Sequence, residues 1–408
     1  MALTRVVNLL PDRNASRPGD DPIFALNREA TQRRATGEKI INATVGALLE
    51  DDGSLAVLPS VVEAIREVPP LKAAAYAPIA GVPEFLSAVT RDLLGGTALA
   101  DQAVACSTPG GTGALRHALS IFLDHRQSMV TSSFYWGPYA TLADEHERGV
   151  VTFNTFADHG GIDLAAFERT LAETAEKQGR LLVFLNDPCH NPTGYSMTRD
   201  EWTAVSGIVR EQSQRVPTAV LADVAYLAYA RDQKSFLAHL EPLTDKAAVL
   251  FAWSGSKAFT QYGARIGALI ACTADANTRN AIGRALAWAC RGTWSNCNAA
   301  GQHAVARCLS DATLRARVDG ERDRLRALLD ARVEAFNRAA EGTALRYPRY
   351  DGGFFVTVFA RDAKAAAEKL KARGVFTVPQ AGALRVALCS VAQADVPALV
   401  AALDEAVA

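Results

Sequence analysis

The sequence predicts an α/β protein of two units: a large one built on a mostly parallel sheet covered by helices, and a smaller α/β unit near the C-terminal end. Three observations lead there. Short apolar runs without polar alternation recur at Ser128 to Ser132, Val150 to Thr155, Leu181 to Asn186, Thr218 to Ala222, Ala247 to Trp253 and Ile266 to Cys272, the pattern of strands covered on both faces. Segments of helical period, Tyr139 to Arg148, Leu164 to Lys177 and Arg199 to Gln214, lie between most of them, as crossovers between parallel strands require. After Asn277 the pattern turns helical, and a compact set of strands and helices closes the chain. The expected division is 1–48 as an N-terminal arm that also contributes to the small unit, 49–310 as the large unit and 311–408 as the small one.

The elements follow in order. Pro22 to Arg34 places Ile23, Leu26 and Ala30 at helical spacing in an otherwise polar arm. Lys39 to Gly46 reads as a strand closing at a glycine, and Asp51-Asp52-Gly53 as a turn. Leu58 to Val68 is helical and stops before Pro69-Pro70, since the residue before a proline avoids the helical conformation. A turn-rich segment, Tyr76 to Gly81, precedes a helix from Pro83 to Leu94 with proline near its start. Gln102 to Ser107 is a strand that runs into Thr108-Pro109-Gly110-Gly111-Thr112-Gly113 and then the apolar helix Ala114 to Leu123. Strand, glycine-rich turn and helix is an arrangement that cradles anions; it also serves as a plain tight turn, and it lacks the G-x-G-x-x-G of a dinucleotide site. The C-terminal unit combines an amphipathic helix from Thr313 to Ala340, strands at Phe354 to Phe359, Val375 to Val378 and Leu384 to Leu388, and helices at Ala363 to Arg373 and Asp395 to Val407.

Composition narrows the class. A chain of 408 residues with 49% hydrophobic content exceeds one small core and describes an ordinary globular protein. A net charge of −1 with both signs interspersed carries no electrostatic footprint for nucleic acid or an anionic membrane. The 7 cysteines are scattered and never form C-x-x-C, so buried free thiols in a reducing compartment are expected, with neither a disulfide framework nor a zinc site. Met1 to Leu10 holds Arg5 inside a short apolar run and no cleavage-site pattern, and no stretch of about 18 apolar residues occurs. A cytoplasmic location is the expectation.

The stretch richest in chemistry is Ser254-Gly255-Ser256-Lys257-Ala258-Phe259-Thr260-Gln261-Tyr262-Gly263-Ala264-Arg265, which joins two of the expected buried strands. Hydroxyls, glycine-exposed N–H groups and a guanidinium bind phosphate, and a partly desolvated lysine is a nucleophilic amine. Pyridoxal 5′-phosphate presents both a phosphate and an aldehyde to such a set. A loop with ordinary charged residues is the other reading of this segment taken alone.

The whole constellation resembles the class I, aspartate and aromatic amino acid, aminotransferases of the fold type I pyridoxal-phosphate enzymes. The motifs that carry it are Asp21-Pro22-Ile23, Val45-Gly46, Val57-Leu58-Pro59, Tyr76 with Pro78-Ile79-Ala80-Gly81, Gly111-Thr112-Gly113-Ala114-Leu115, His190-Asn191-Pro192-Thr193-Gly194, Asp223-Val224-Ala225-Tyr226, Ser254-Gly255-Ser256-Lys257, Arg265-Ile266-Gly267 and Arg385, in that order over nearly the full length. The resemblance implies that Lys257 holds the cofactor aldehyde and carries the substrate proton, that Asp223 keeps the pyridine nitrogen protonated, and that Tyr226 and Asn191 donate to the ring oxygen. It implies Trp136 stacked on the ring, and a phosphate held by Gly111, Thr112, Ser254, Ser256 and Arg265, with Tyr76 from a neighbouring subunit. Arg385, with Gly46 and Asn191, would take the substrate α-carboxylate, and Arg291 a side-chain carboxylate across a homodimer. For Asp223 a cap, for Trp136 plain core and for Arg291 a surface arginine are the alternatives. No metal is implied, and His190 reads as a packing residue behind the site.

The chain also departs from the family. Tyr139 and Asn186 stand where close relatives often carry histidines behind the aspartate, and Leu48 replaces an aromatic at the substrate entrance. The expected activity is transfer of an amino group from aspartate or an aromatic amino acid to a 2-oxo acid, chiefly 2-oxoglutarate, in two half-reactions. A lyase or decarboxylase on the same scaffold is the rival within this chemistry. A ligand-sensing regulator would need a basic N-terminal DNA-binding segment, and the residues before the first motif are not basic.

Overall fold

A computed structural model describes residues 9–19, 21–158 and 160–408. The Met1 to Leu10 stretch read above for a signal lies outside them except for its last two residues.

The strands Leu181–Asn186, Thr218–Asp223 and Ala247–Ser254 are buried at every position and form the middle of a 7-stranded sheet. Side chains alternate between faces along a strand, and here both faces are apolar. Leu181, Val183 and Leu185 pack on one face with Val220 and Val249, whereas Leu182 and Phe184 pack on the other with Leu221 and Leu250. That is why these runs show no polar alternation. Across the sheet the order is Ala103–Pro109, Ile266–Cys272, Ala247–Ser254, Thr218–Asp223, Leu181–Asn186, Ser128–Ser132 and Gly149–Phe153. All neighbours are parallel except Ile266–Cys272, which runs against both strands beside it.

The crossover helices have local reasons to start and stop where they do. Asp163 caps Leu164–Gln178 by accepting from Ala166 N, and Gly179, with φ of +66°, ends it. Thr198 and Glu201 form a reciprocal capping box at the start of Arg199–Ser213.

A second core lies on a 3-stranded antiparallel sheet of Val378–Gln380, Ala383–Ala387 and Phe355–Phe359, covered by Ala363–Ala372 and Val396–Val407. The two cores share one helix, Ala312–Ala340. Leu314, Val318, Leu325 and Leu329 belong to the first core, and Val333, Phe336 and Ala340 to the second. The strand expected over Lys39 to Gly46 shrinks to Ile41–Asn42, which pairs parallel with Val375–Phe376. Ala43 N still donates to Phe376 O at 2.9 Å, and residues 44–46 then run toward the large sheet, where Lys257 Nζ donates to Gly46 O at 2.8 Å. All seven cysteines are free and buried, and among the described residues no helix is long and apolar enough to cross a membrane.

Candidate active site

Parallel strands deliver their carboxyl ends to one edge of a sheet, and here that edge collects the chemistry. The register sets Asn186 beside Asp223 and Asp223 beside Ala252, so the last residues of neighbouring strands lie in a row. Ala247–Ser254 ends at the same edge, and the short helix Gly255–Ala258 that follows carries Ser256 and Lys257. Because Ile266–Cys272 runs the other way, it begins at this edge and places Arg265 there. Ala103–Pro109, antiparallel to it, ends there too and feeds the helix Gly110–Phe122. A cavity of about 410 Å³ opens at this convergence, lined by residues around that edge and by Phe355 and Arg385 of the small sheet.

One end of the cavity is built for an anion. The helix Gly110–Phe122 has no side chain capping its first turn, so its leading N–H groups remain available and its positive end faces the cavity. Arg265 Nη1 donates to Ser256 Oγ at 3.1 Å and Tyr262 O at 3.0 Å, and Nη2 to Pro109 O at 3.3 Å. These acceptors are neutral, so the guanidinium keeps its full charge for a ligand. Ser254 Oγ accepts from Ser256 N at 3.2 Å, and Ser254, Ser256, Gly111 and Thr112 all line the cavity. Two glycines allow the approach. Gly110 has φ of +68°, and a Cβ there would stand 2.4 Å from Arg265 Nη2; a Cβ on Gly267 would stand 2.4 Å from the carbonyl carbon of Gly110.

The middle holds an amine and a carboxylate. Lys257 Nζ lies 4.6 Å from the Tyr262 ring centroid and 5.9 Å from that of Tyr226. Burial lowers its proton affinity to about 8, and the nearby Arg265 and Arg385 act in the same direction. Asp223 is buried, and burial raises its carboxyl to about 6 despite the opposing hydrogen bond from Tyr139. Asn191 Nδ2 donates to Tyr226 Oη at 3.3 Å, which leaves the phenol proton free to point into the cavity, and Asn191 Oδ1 has no partner among the described residues. Trp136 lines the cavity as well and meets Tyr139 edge to face at 5.9 Å.

Arg385 closes the far side. It stands in the small sheet opposite Thr357 and Val378 and is only 4% exposed. Its Nη2 donates to Thr44 O at 2.6 Å, its guanidinium lies 4.7 Å from the Phe355 ring centroid, and its Nε has no partner among the described residues. A buried guanidinium held by a carbonyl and an aromatic face, with a donor to spare, has the chemistry to take a carboxylate. Gly46 is required beside it, since a Cβ would stand 2.6 Å from Phe355 Cζ.

The structure therefore brings Lys257, Asp223, Tyr226, Asn191, Trp136, Gly111, Thr112, Ser254, Ser256, Arg265, Arg385 and Gly46 to one cavity. It does not bring Tyr76 or Arg291 there. Tyr76 is 92% exposed, and Arg291, at the exposed end of Ala276–Arg291, turns to Ser295 Oγ at 2.5 Å. Leu48 is not at the entrance: its side chain is fully buried, and its N–H donates to Tyr262 Oη at 3.0 Å. His190 packs behind the site, its Nδ1 2.7 Å from Thr193 Oγ1, and burial lowers it to about 4. Sequence reasoning assigned no task to Phe355, Tyr262 and Leu115, which line the cavity. Tyr262 could have been found from its place within the 254–265 stretch; Phe355 and Leu115 look like any apolar residue of a strand or helix.

Comparison with known proteins adds the following. Residues 38–403 match the family described as aminotransferase class I and II. The aromatic-amino-acid aminotransferase of Paracoccus denitrificans is 32% identical over 245 residues, which span 59% of this chain and 60% of that enzyme. The crystal structure of an aminotransferase from Anaerococcus prevotii superposes with a TM-score of 0.94 at 30% identity, covering 98% of this chain and 100% of that one. An aromatic-amino-acid aminotransferase from Burkholderia pseudomallei, solved covalently bound to pyridoxal phosphate, shares the fold with a TM-score of 0.78 at 23% identity over the full length of both chains.

Proposed function

The chain belongs to the class I and II aminotransferase family, and from that premise we propose that it is a pyridoxal 5′-phosphate-dependent aminotransferase. It moves the amino group of aspartate or an aromatic amino acid to a 2-oxo acid, chiefly 2-oxoglutarate, in two half-reactions. The observation that carries this reading is a partly desolvated amine, Lys257, sharing one cavity with a carboxylate at Asp223 and guanidinium groups at Arg265 and Arg385. The residues fit the cofactor on grounds of their own: an uncapped helix start with a neutral-partnered arginine suits a phosphate, and the unpartnered Asn191 Oδ1 and Arg385 Nε suit a polar ligand.

When bound, pyridoxal phosphate supplies an aldehyde that an amine can capture and a ring that draws negative charge from the substrate Cα. Lys257, its proton affinity already lowered, would hold that aldehyde between turnovers and move the proton at Cα during them. Asp223 would keep the ring nitrogen protonated, since a buried carboxylate stabilises a cation beside it. Tyr226 and Asn191 would donate to the ring oxygen, and Trp136 would cover the ring face. Gly111, Thr112, Ser254, Ser256 and Arg265 would hold the phosphate. Arg385 would grip the α-carboxylate of donor and acceptor alike, which fixes Cα over Lys257 without distinguishing substrates.

The same reading makes the enzyme a cytoplasmic homodimer in which Tyr76 and Arg291 serve the partner's cavity. Exposure of Leu71, Tyr76 and Trp288 supports a covering surface on that side. It also assigns 49–310 to the cofactor-binding unit and 311–408, with part of the first 48 residues, to a small unit that carries Arg385. The test is a transamination screen of amino acids against 2-oxoglutarate, oxaloacetate and pyruvate, with Lys257→Ala as control. Oxo acid beyond one equivalent per active site should form only when an acceptor is present, and the Lys257→Ala rate should fall at least about 10³-fold. Repeated release of oxo acid, or release of carbon dioxide, without an acceptor would replace this reading with a lyase or decarboxylase.

A further inference from the structure

We propose that Tyr139 is a positioning residue that sets the charge state of Asp223, and that through Asp223 it sets the pH range over which the cofactor ring is held. The inference rests on the reading of the cavity as a pyridoxal-phosphate site. Tyr139 does not line the cavity; it stands behind Asp223 in the first turn of Pro138–Glu145 and donates to Asp223 Oδ2 at 2.7 Å.

Two other protein groups fix the aspartate. Ala225 N donates to Oδ1 at 3.3 Å, and Asn186 Nδ2 donates to the backbone O at 2.7 Å. Asn186 thus orients the backbone and contributes nothing to the carboxylate oxygens, so Tyr139 is the only side chain among the described residues that donates to them. Its ring cannot swing away. It is 1% exposed and is met edge to face by Phe184 at 5.3 Å and Trp136 at 5.9 Å, with Tyr135 stacked at 6.3 Å.

A phenol in this position has one proton and holds it. Burial and the Asp223 charge push Tyr139 well above the ordinary tyrosine range, so it stays protonated across the neutral range and donates there. A neutral donor that never titrates differs from an imidazole, which would add or lose a charge near neutrality. Tyr139 holds the Asp223 carboxylate ionised against burial more strongly than the other two groups that act the same way, the Ala225 N–H and the Lys257 charge across the cavity. Without it the carboxyl takes up a proton more readily, and a protonated carboxyl no longer attracts a protonated ring nitrogen.

The test titrates pyridoxal 5′-phosphate into wild-type protein, Tyr139→Phe and Phe184→Leu from about pH 5.5 to 9, reading absorbance and the 15N shift of a labelled ring nitrogen. Tyr139→Phe keeps the packed ring and should move the lower pH midpoint of binding up by about one unit, so that the cofactor binds about eight-fold more weakly at pH 5.5 but only about two-fold more weakly at pH 7. Phe184→Leu, which loosens the ring without removing the hydroxyl, should lower stability and leave that midpoint in place. An unchanged midpoint in Tyr139→Phe, or an equal shift in Phe184→Leu, overturns the role given to Tyr139 alone. Failure of the wild-type protein to bind the cofactor overturns it together with the functional reading beneath it.

Discussion

At the scale of the residue, burial in the folded chain disfavours the charged forms of both Asp223 and Lys257. The Asp223 carboxyl moves from an ordinary value of 3.8 to about 6, so the folded protein binds more protons than the unfolded chain between those values. Stability of the cofactor-free protein should therefore be greatest below about pH 4 as far as this group is concerned, and decline as pH rises to about 6, by on the order of 3 kcal/mol. Asp187, raised by burial to about 7, adds a decline of the same sign although Trp202 and Met197 donate to it. Lys257 acts oppositely at the alkaline end: its lowered value makes the folded state regain stability between about 8 and 10.5. Asp223→Asn should flatten the acid-side decline by Asp223's share and raise the stability of cofactor-free protein at pH 7, read by urea denaturation across pH. An unchanged slope would mean that the carboxylate is far better solvated than its 6% exposure indicates.

At the scale of the element, the anion-binding end depends on how closely two antiparallel strands approach at their ends. Pro109 stands opposite Ile266 and Thr108 opposite Gly267, and just beyond that pair the chain turns into the helix Gly110–Phe122. A methyl group at position 267 would meet backbone atoms of Gly110, which cannot rotate out of the way as a side chain would. Gly267→Ala should cost about 1 to 3 kcal/mol in stability. It should also weaken inorganic phosphate and cofactor binding by shifting the helix start away from Arg265. Retained phosphate affinity in this variant, measured by calorimetry, would show that Arg265 and the serines suffice without the helix. The glycine pattern around residue 110 was visible in the sequence, but its partner at 267 was not, because which two turns touch depends on strand order.

At the scale of the whole molecule, one helix and one arginine tie the two cores together. Arg332, fully buried near the middle of Ala312–Ala340, donates to Cys389 O, Leu49 O and Asp51 Oδ1, each at 2.7 Å. It thus links the segment that follows Gly46 with the one that follows Arg385. Arg332→Ala leaves these acceptors unmet and should cost about 3 to 5 kcal/mol, read by chemical denaturation. If a second copy completes the site, Arg291→Ala should raise KM for aspartate at least about ten-fold while leaving phenylalanine within about two-fold. Equal weakening of both substrates would remove Arg291 from any carboxylate contact. Most of the architecture was open to a reading of residues in order: doubly covered strands betray themselves by losing polar alternation, and Lys257, Ser254, Ser256 and Arg265 fall within one short stretch. Motif order also marked Asp223 and Arg385. The sequence could not show that Tyr139 donates to Asp223, that Phe355 forms the wall beneath Arg385 and demands a glycine at 46, or that Leu48 is buried away from the entrance. Periodicity and local spacing are properties of neighbours along the chain, so they are determined before folding is complete. Contacts such as Tyr139 to Asp223, 84 positions apart, exist only once strand order and register bring distant ends to one edge of the sheet.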